Sequence, residues 1–128
     1  MTKKAENIKI LLIEDDPFLL SMYSTKFTME KFQVESAEDG EKGIKLAKEV
    51  NPSIILLDIL MPKMNGFEVL EDLKKDKRTT FVPVILLTNL NQKDEIERGM
   101  NMGADDYLIK AHFMPSEVVA KIKKVLNN

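Results

Sequence analysis

The sequence contains no cysteine, so neither disulfide bonds nor metal sites built from thiolates are possible. It also lacks an excess of positive charge, because 19 basic and 21 acidic residues leave a formal net charge of -2. Gripping nucleic acid through its phosphates requires a basic field, so we do not expect direct nucleic-acid binding. No apolar run is long enough to span a membrane, and the polar N-terminus is not a signal sequence. These absences favour a cytoplasmic protein that binds no membrane.

The bulk properties are those of one folded domain. The chain has 128 residues, of which 44% are hydrophobic and 31% are charged. No internal repeat, low-complexity tract or linker divides it. We therefore predict one domain over residues 7–127, preceded by a flexible tail at residues 1–6, with no second domain in this chain.

The stretch around Asp58 combines a buried strand pattern with a reactive side chain. Four apolar residues run directly into this carboxylate, and a loop that contains Pro62 and Gly66 follows at once. A short apolar run between turn signals is typical of a strand buried on both faces of a parallel sheet. Asp58 is therefore predicted at the carboxyl end of that strand, the edge at which α/β sheets bind ligands. There it is a nucleophile, a metal ligand or a helix cap.

Strand-like and helical segments alternate five times along the chain. The strand-like segments are residues 8–13, 32–37, 53–58, 81–88 and 106–110. Between them, Asp16, Asp39 and Asn91 suit helix N-caps, and Gly103 suits a C-cap. The polar residues 74–80 are predicted to be a solvated connection. This alternation indicates an α/β fold of the flavodoxin-like kind, a three-layer sandwich whose parallel sheet has the order 2-1-3-4-5 and helices on both faces.

That strand order brings Glu14, Asp15 and Asp58 to one edge of the sheet. Carboxylates crowded together repel one another and raise their pKa values unless a cation neutralises them. Mg²⁺ takes oxygen ligands, often only one or two carboxylates, and leaves room for a phosphoryl group. Thr88 ends the fourth strand with a hydroxyl, and Lys110 ends the fifth with a compact cation suited to phosphate. Together these residues indicate phosphoryl transfer to an aspartate.

The ordered set of residues resembles the CheY-like receiver domain of two-component response regulators over nearly the whole chain. The resemblance rests on the acids after the first strand and on Asp58 in a loop of the form Asp-x-x-Met-Pro-x-Met-Asn-Gly. Thr88, Tyr107 and Lys110 follow at the spacings typical of that family, and residues 103–107 carry its Gly-Ala-Asp-Asp-Tyr pattern. The resemblance implies a signalling phosphoprotein that assists only its own phosphorylation and dephosphorylation.

The resemblance implies a role for each residue of the acidic edge. Asp58 is expected to accept a phosphoryl group from the phosphohistidine of a sensor histidine kinase or phosphotransfer protein. Asp15, Asp58 and the backbone carbonyl of Leu60 are expected to bind Mg²⁺ or Mn²⁺ directly, and Glu14 through water. Lys110 is expected to pair first with Asp58 and then with the phosphoryl oxygens.

The resemblance also implies a switch. Thr88 is expected to move toward the phosphoryl group, and Tyr107 to turn inward into the space that this movement vacates. The fourth helix, fifth strand and fifth helix are expected to form the output face for a downstream protein target. The protein is expected to be a monomer or a weak homodimer through that face. Without an output domain, the chain is either a stand-alone regulator or a fragment of a longer protein.

The sequence departs from the family pattern at three positions. Ala111 follows the lysine where the family usually has a proline in a cis bond, and a non-proline cis bond costs about 3–4 kcal/mol. The bond after Lys110 is therefore either trans in a rebuilt loop or strained. Leu60 is bulky, and Asn89 stands where a small residue is usual; we expect both to restrict hydrolytic water and lengthen the lifetime of the acyl phosphate.

Other functions fit the residues less well. A phosphohydrolase of the haloacid dehalogenase type needs an acid two positions after its nucleophile, where this chain has Leu60. A flavin carrier needs hydroxyls and amides in the first loop, where residues 14–16 are three acids that repel phosphate. A degenerate receiver that only binds partners is expected to lack Asp58, Thr88 or Lys110, and none is missing. That binding-only module remains the second hypothesis because of the alanine after the lysine.

Overall fold

The computed structural model describes residues 4–89, 92–110 and 114–127. After a 3-10 turn at Ala5–Asn7, five strands and five α-helices alternate along these residues. The strands are β1 (Lys9–Ile13), β2 (Gln33–Ala37), β3 (Ile54–Asp58), β4 (Val84–Thr88) and β5 (Asp106–Ile109). The helices are α1 (Pro17–Met29), α2 (Gly40–Val50), α3 (Gly66–Lys75), α4 (Lys93–Asn101) and α5 (Pro115–Asn127).

The strands form one parallel sheet in the order β2-β1-β3-β4-β5, which confirms the predicted fold and strand order. In this register Ile13 lies beside Leu57, and Thr88 lies beside Ile109. The residues that follow β1, β3, β4 and β5 therefore meet at one edge. The strand order reverses between β1 and β3, and this is the position at which doubly wound sheets bind their ligands.

The core consists of two layers, because side chains alternate across the sheet and both central strands are buried along their full length. One layer packs Leu11, Ile55 and Leu57 against α2 and α3. The other layer packs Leu12 and Leu56 against α1 and α5. Within the described residues, no helix is long and apolar enough to cross a membrane.

The starts of α1 and α2 follow the predicted capping chemistry, and α3 has a capping box that was not predicted. The Asp16 carboxylate accepts from the backbone N–H of Phe18 at 2.9 Å, with proline at the first helical position. Asp39 caps α2 by accepting from Lys42 N–H at 2.8 Å. The start of α3 is a capping box in which Asn65 and Glu68 each accept from the other's backbone N–H. These local bonds explain why the helices begin directly after the site loops.

The end of α4 also follows the prediction. Gly103 has a φ of +110°, and its N–H donates to the Met100 carbonyl at 3.2 Å. The N–H of Ala104 donates to the Gly99 carbonyl at 3.1 Å, which completes a Schellman motif. The predicted N-cap of this helix, Asn91, lies outside the described residues, and the described N-cap is Gln92.

The connection between α3 and β4 is less solvated than its sequence predicts. Thr79 is buried, and its hydroxyl donates to the Leu73 carbonyl at 2.6 Å. The Lys74 ammonium donates to the carbonyls of Thr80 and Val82, each at 3.3 Å. The prediction of a solvated connection is therefore wrong at Thr79, where the hydroxyl replaces water as a partner of the backbone, whereas Lys77 and Arg78 are exposed.

Candidate functional site

Each sequence-predicted site residue outside the switch tyrosine lies at the carboxyl edge of the sheet. Glu14 and Asp15 follow β1, and Asp58 is the last residue of β3. Thr88 is the last residue of β4, and Lys110 directly follows β5. The parallel register therefore brings together five side chains that are far apart in the sequence.

The three acids form a cluster that suits a hard cation. One carboxylate oxygen from each of Glu14, Asp15 and Asp58 lies within 4.8 Å of the others. Glu14 and Asp58 are buried, whereas Asp15 is the most exposed of the three. The N–H of Asp16 donates to Glu14 Oε2 at 3.1 Å, which orients that carboxylate. Carboxylate oxygens are among the ligands that Mg²⁺ prefers.

Lys110 is the described cation closest to this cluster. Its ammonium lies 2.8 Å from Glu14 Oε1 and 3.0 Å from Asp58 Oδ1. Burial alone lowers the pKa of Lys110, but its bonds to Glu14 and the charge of Asp58 outweigh burial and raise the pKa. The side chain therefore stays charged and is shared between two carboxylates.

Asp58 is buried next to a like charge. Burial raises the pKa of its carboxyl group, the neighbouring Glu14 raises it further, and Lys110 offsets only part of the rise. The backbone N–H of Leu60 donates to Asp58 Oδ1 at 3.2 Å. A second positive charge at the cluster would remove the repulsion that Lys110 leaves uncompensated.

The loop after β3 is shaped by Gly66, the last residue of the Asp-x-x-Met-Pro-x-Met-Asn-Gly motif. Its N–H donates to the Ile59 carbonyl at 2.7 Å, and a Cβ atom at this position would lie 2.5 Å from the Asp58 carbonyl oxygen. Backbone atoms do not yield to such a contact, so this position requires glycine. The Asn-Gly pair signals a turn, but the close approach to Asp58 depends on the folded loop.

Thr88 and Tyr107 differ in exposure. Thr88 is 1% exposed, and its hydroxyl has no hydrogen-bond partner among the residues that the structure describes. Tyr107 is 37% exposed, and the ammonium of Lys121 lies over its ring, 5.8 Å from the ring centroid. Leu60 is 52% exposed beside the acidic cluster. The Thr88 hydroxyl is thus buried, whereas the Tyr107 ring faces outward.

Two positions singled out in the sequence cannot be placed. Ala111 and the bond that joins it to Lys110 lie outside the described residues. His112, predicted to be a loop residue without a catalytic part, lies there as well.

The comparison with protein families decides the relationship. The profile of the response regulator receiver domain matches residues 10–123. The chain belongs to this family. The family predicted from the ordered residues is thereby confirmed, and with it the assignment of the chain to two-component signalling.

Similar receivers occur in proteins of different lengths. The chain is 40% identical over 118 residues to the DNA-binding dual master transcriptional regulator RpaA of Synechocystis, covering 92% of this chain and 48% of RpaA. It is 39% identical over 104 residues to protein PilH of Pseudomonas aeruginosa, covering 80% of this chain and 84% of PilH. The chain thus spans about half the length of RpaA-type relatives.

Solved structures share this receiver fold. Chemotaxis protein CheY4 of Vibrio cholerae superposes with a TM-score of 0.86 at 26% identity, covering 92% of this chain and 98% of CheY4. The receiver domain of sensor histidine kinase PA1611 from Pseudomonas aeruginosa superposes with a TM-score of 0.86 at 23% identity, covering 94% and 98%. In that protein a magnesium ion is coordinated in the active-site cleft.

Proposed function

We propose that this receiver accepts a phosphoryl group on Asp58 from the phosphohistidine of a sensor histidine kinase or phosphotransfer protein, with Mg²⁺ or Mn²⁺ as the cofactor. The supporting observation is the arrangement around one carboxylate: Asp58 lies 3.0 Å from the ammonium of Lys110 and within the three-acid cluster. A carboxylate oxygen attacks phosphorus, the phosphorus–nitrogen bond of the donor breaks, and an acyl phosphate forms.

The acidic cluster provides the metal site of this proposal. Asp15, Asp58 and the backbone carbonyl of Leu60 would hold the ion, and Glu14 would act through water. When bound, the ion would supply positive charge against the negative charge of the transferred phosphoryl group. The geometry supports this assignment because the three carboxylates already lie close enough to share one ion.

Lys110 and Thr88 position the transferred group. Lys110 exchanges its contact with the Asp58 carboxylate for the new phosphoryl oxygens, a change that needs little movement from its present 3.0 Å contact. The Thr88 hydroxyl, buried and without a described partner, donates to a phosphoryl oxygen. Its movement leaves space on the inner side of β5 into which Tyr107 turns.

In this proposal, phosphorylation of Asp58 changes one surface of the protein. The outward or inward position of Tyr107 alters the face formed by α4, β5 and α5, to which a downstream protein target binds. The proposal includes a monomer or a weak homodimer through this face. Direct nucleic-acid binding is not part of the proposal, since the chain carries a net charge of -2. In a longer protein of the RpaA kind, the same face would instead control the attached DNA-binding part.

The proposal is tested by incubating the protein with Mg²⁺ and acetyl phosphate and measuring its intact mass. Wild type is expected to gain one phosphoryl group, and Asp58→Asn is expected to gain none. Asp72→Asn, which replaces another acid away from the cluster, is the matched control and is expected to behave as wild type.

A wild-type protein that gains no phosphoryl group has two possible explanations, and one further assay distinguishes them. If wild type gains no mass with acetyl phosphate, the assay is repeated with a phosphorylated histidine kinase as the donor. No gain with either donor would replace the proposed function by the binding-only module. A gain that persists in Asp58→Asn would move the phosphorylation to a different residue.

A further inference from the structure

Lys121 of α5 makes three contacts with one short segment of β5. Its ammonium lies 3.4 Å from Asp106 Oδ1 and 3.4 Å from the backbone carbonyl oxygen of Tyr107. It also lies 5.8 Å from the centroid of the Tyr107 ring, within the distance of about 6 Å at which a cation attracts an aromatic face. Lys121 of α5 thus contacts the proposed switch residue, Tyr107, which belongs to β5.

Two of these contacts do not depend on where the tyrosine ring lies. The carboxylate of Asp106 and the carbonyl of Tyr107 belong to β5 itself, and they keep the ammonium in place when the ring turns. The third contact exists only while the ring is outward. The ammonium of Lys121 is therefore a fixed charge that stabilises one of two ring positions.

An inward turn of the Tyr107 ring would bring it toward the edge of the sheet that carries the acidic cluster. The register pairs Tyr107 with Leu86 of β4, and Thr88 lies two residues further along that strand. The Thr88 hydroxyl is buried and has no hydrogen-bond partner in the part of the chain that the structure describes. A ring that turns inward loses the Lys121 contact and approaches the strand that carries Thr88. The two positions therefore differ in their contacts with two different elements, α5 outside and β4 inside.

We propose that Lys121 is a positioning residue that holds Tyr107 outward in the unphosphorylated protein and so opposes the change driven by phosphorylation of Asp58. The link to phosphorylation rests on the proposed function above, whereas the effect on the ring position does not. Lys121 sets the resting balance of the switch, and its removal makes the inward state easier to reach.

The size of the effect follows from the exposure of the contact. A partly exposed cation–π contact shifts an equilibrium by about two- to fivefold. A ligand that favours the inward state then binds more tightly by at most the same factor, since ligand binding and ring position are linked. We therefore expect Lys121→Met to raise the affinity for a phosphoryl analogue by about two- to fivefold.

The ring position is measured directly by fluorine NMR of protein labelled with 3-fluorotyrosine. The chain has only two tyrosines, so Tyr107→Phe assigns both resonances, and the buried Tyr23 is an internal reference. The shift between light and heavy water reports the exposure of each ring. In resting protein, Lys121→Met is expected to lower the exposure of Tyr107 and leave Tyr23 unchanged.

Two variants separate the charge of Lys121 from its packing. Lys121→Arg keeps a cation over the ring and is expected to behave as wild type. Lys124→Met removes a charge from an exposed position of the same helix and is also expected to behave as wild type. If Lys121 acted only through its own packing, arginine would not restore the wild-type exposure of Tyr107. The resonance of Tyr23 would then also change.

The coupling is measured by titrating each variant with beryllium trifluoride, a phosphoryl analogue, in Mg²⁺. Tighter binding to Lys121→Met than to wild type and Lys121→Arg supports the proposal. Equal Tyr107 exposure and equal affinity in wild type and Lys121→Met would overturn it. If no variant binds the analogue, the proposed function fails, and the resting exposure of Tyr107 alone still decides whether Lys121 holds the ring.

Discussion

Asp58 and Glu14 are two buried carboxylates that share one ammonium. The ammonium of Lys110 lies 2.8 Å from one and 3.0 Å from the other, so one positive charge faces two negative charges. Such crowding of charge disfavours the metal-free folded protein, and a divalent cation bound there would relieve it. Groups with perturbed pKa values are often found at functional sites.

We predict that Asp58→Asn stabilises the protein in metal-free solution. Burial and Glu14 raise the pKa of Asp58 above its unfolded value, so the folded state holds the proton more tightly than the unfolded state. Stability is therefore lost as the pH rises from about 4 through the folded pKa. We expect a gain of about 1–3 kcal/mol in the free energy of unfolding at the upper end of that window.

Urea unfolding in EDTA at several pH values checks this prediction. The difference between Asp58→Asn and wild type should widen with rising pH and shrink when Mg²⁺ is added to wild type. Glu97→Gln, at an exposed position with no ion pair among the described residues, is the control for loss of a negative charge. A wild type as stable as Asp58→Asn at alkaline pH in EDTA would contradict the prediction.

A second prediction at the scale of single residues concerns Leu60. We predict that its side chain restricts the access of water to the acyl phosphate. Its backbone N–H contacts Asp58 at 3.2 Å, while its side chain is 52% exposed next to the cluster. An apolar side chain there cannot orient water for attack on phosphorus. We expect Leu60→Asn to lose its phosphoryl group severalfold faster than wild type, measured by intact mass after removal of the donor. An unchanged rate would discard this role, and Leu60→Met is the control that keeps an apolar side chain.

At the scale of elements, α2 and α3 are joined by charge as well as by packing. Lys48 of α2 lies 3.0 Å from Asp72 and 3.6 Å from Asp76, which follows α3. Arg78 donates to the same Asp76 carboxylate at 2.9 Å. Its bonds to Arg78 hold the pKa of Asp76 well below its usual range.

We predict that Asp76→Asn lowers stability near neutral pH and not in strong acid. Because the folded pKa of Asp76 is depressed, its contribution is present above its unfolded pKa of about 4 and is lost as the pH falls through the folded value. The effect is small, since exposed charge pairs are screened by solvent. Thermal melts at about pH 7 and at several lower pH values down to about 2 check it, because the destabilisation should shrink progressively below about pH 4. A melting-temperature difference between variant and wild type that stays constant over this range would contradict the prediction.

At the scale of the whole molecule, the metal should act as a stabilising ligand. An ion that binds only the folded state adds about 2.7 kcal/mol to the free energy of unfolding at a hundred times its dissociation constant. We therefore expect Mg²⁺ to raise the melting temperature of wild type. Asp15→Asn should lose most of this rise, while Glu71→Gln, far from the cluster, should keep it. An equal rise in all three proteins would place the ion elsewhere.

The sequence by itself determined the order of the elements and which residues end the strands. Its apolar runs and caps place Asp58 and Thr88 at strand ends, and a parallel sheet brings all such ends to one edge. These conclusions need only local patterns and one topological rule. The metal-ligand set, which the family resemblance implies, stays a prediction, as do the role of Leu60 and the domain limits.

Only the tertiary structure decided how the side chains share partners. Nothing in the local pattern indicates that Lys110 contacts both Glu14 and Asp58, or that Lys121 lies over Tyr107. Such contacts depend on distances between elements that are far apart in the chain, and those distances are set by how the helices pack on the sheet. The pattern of residues thus specifies where the site lies, and packing specifies which charges and rings meet there.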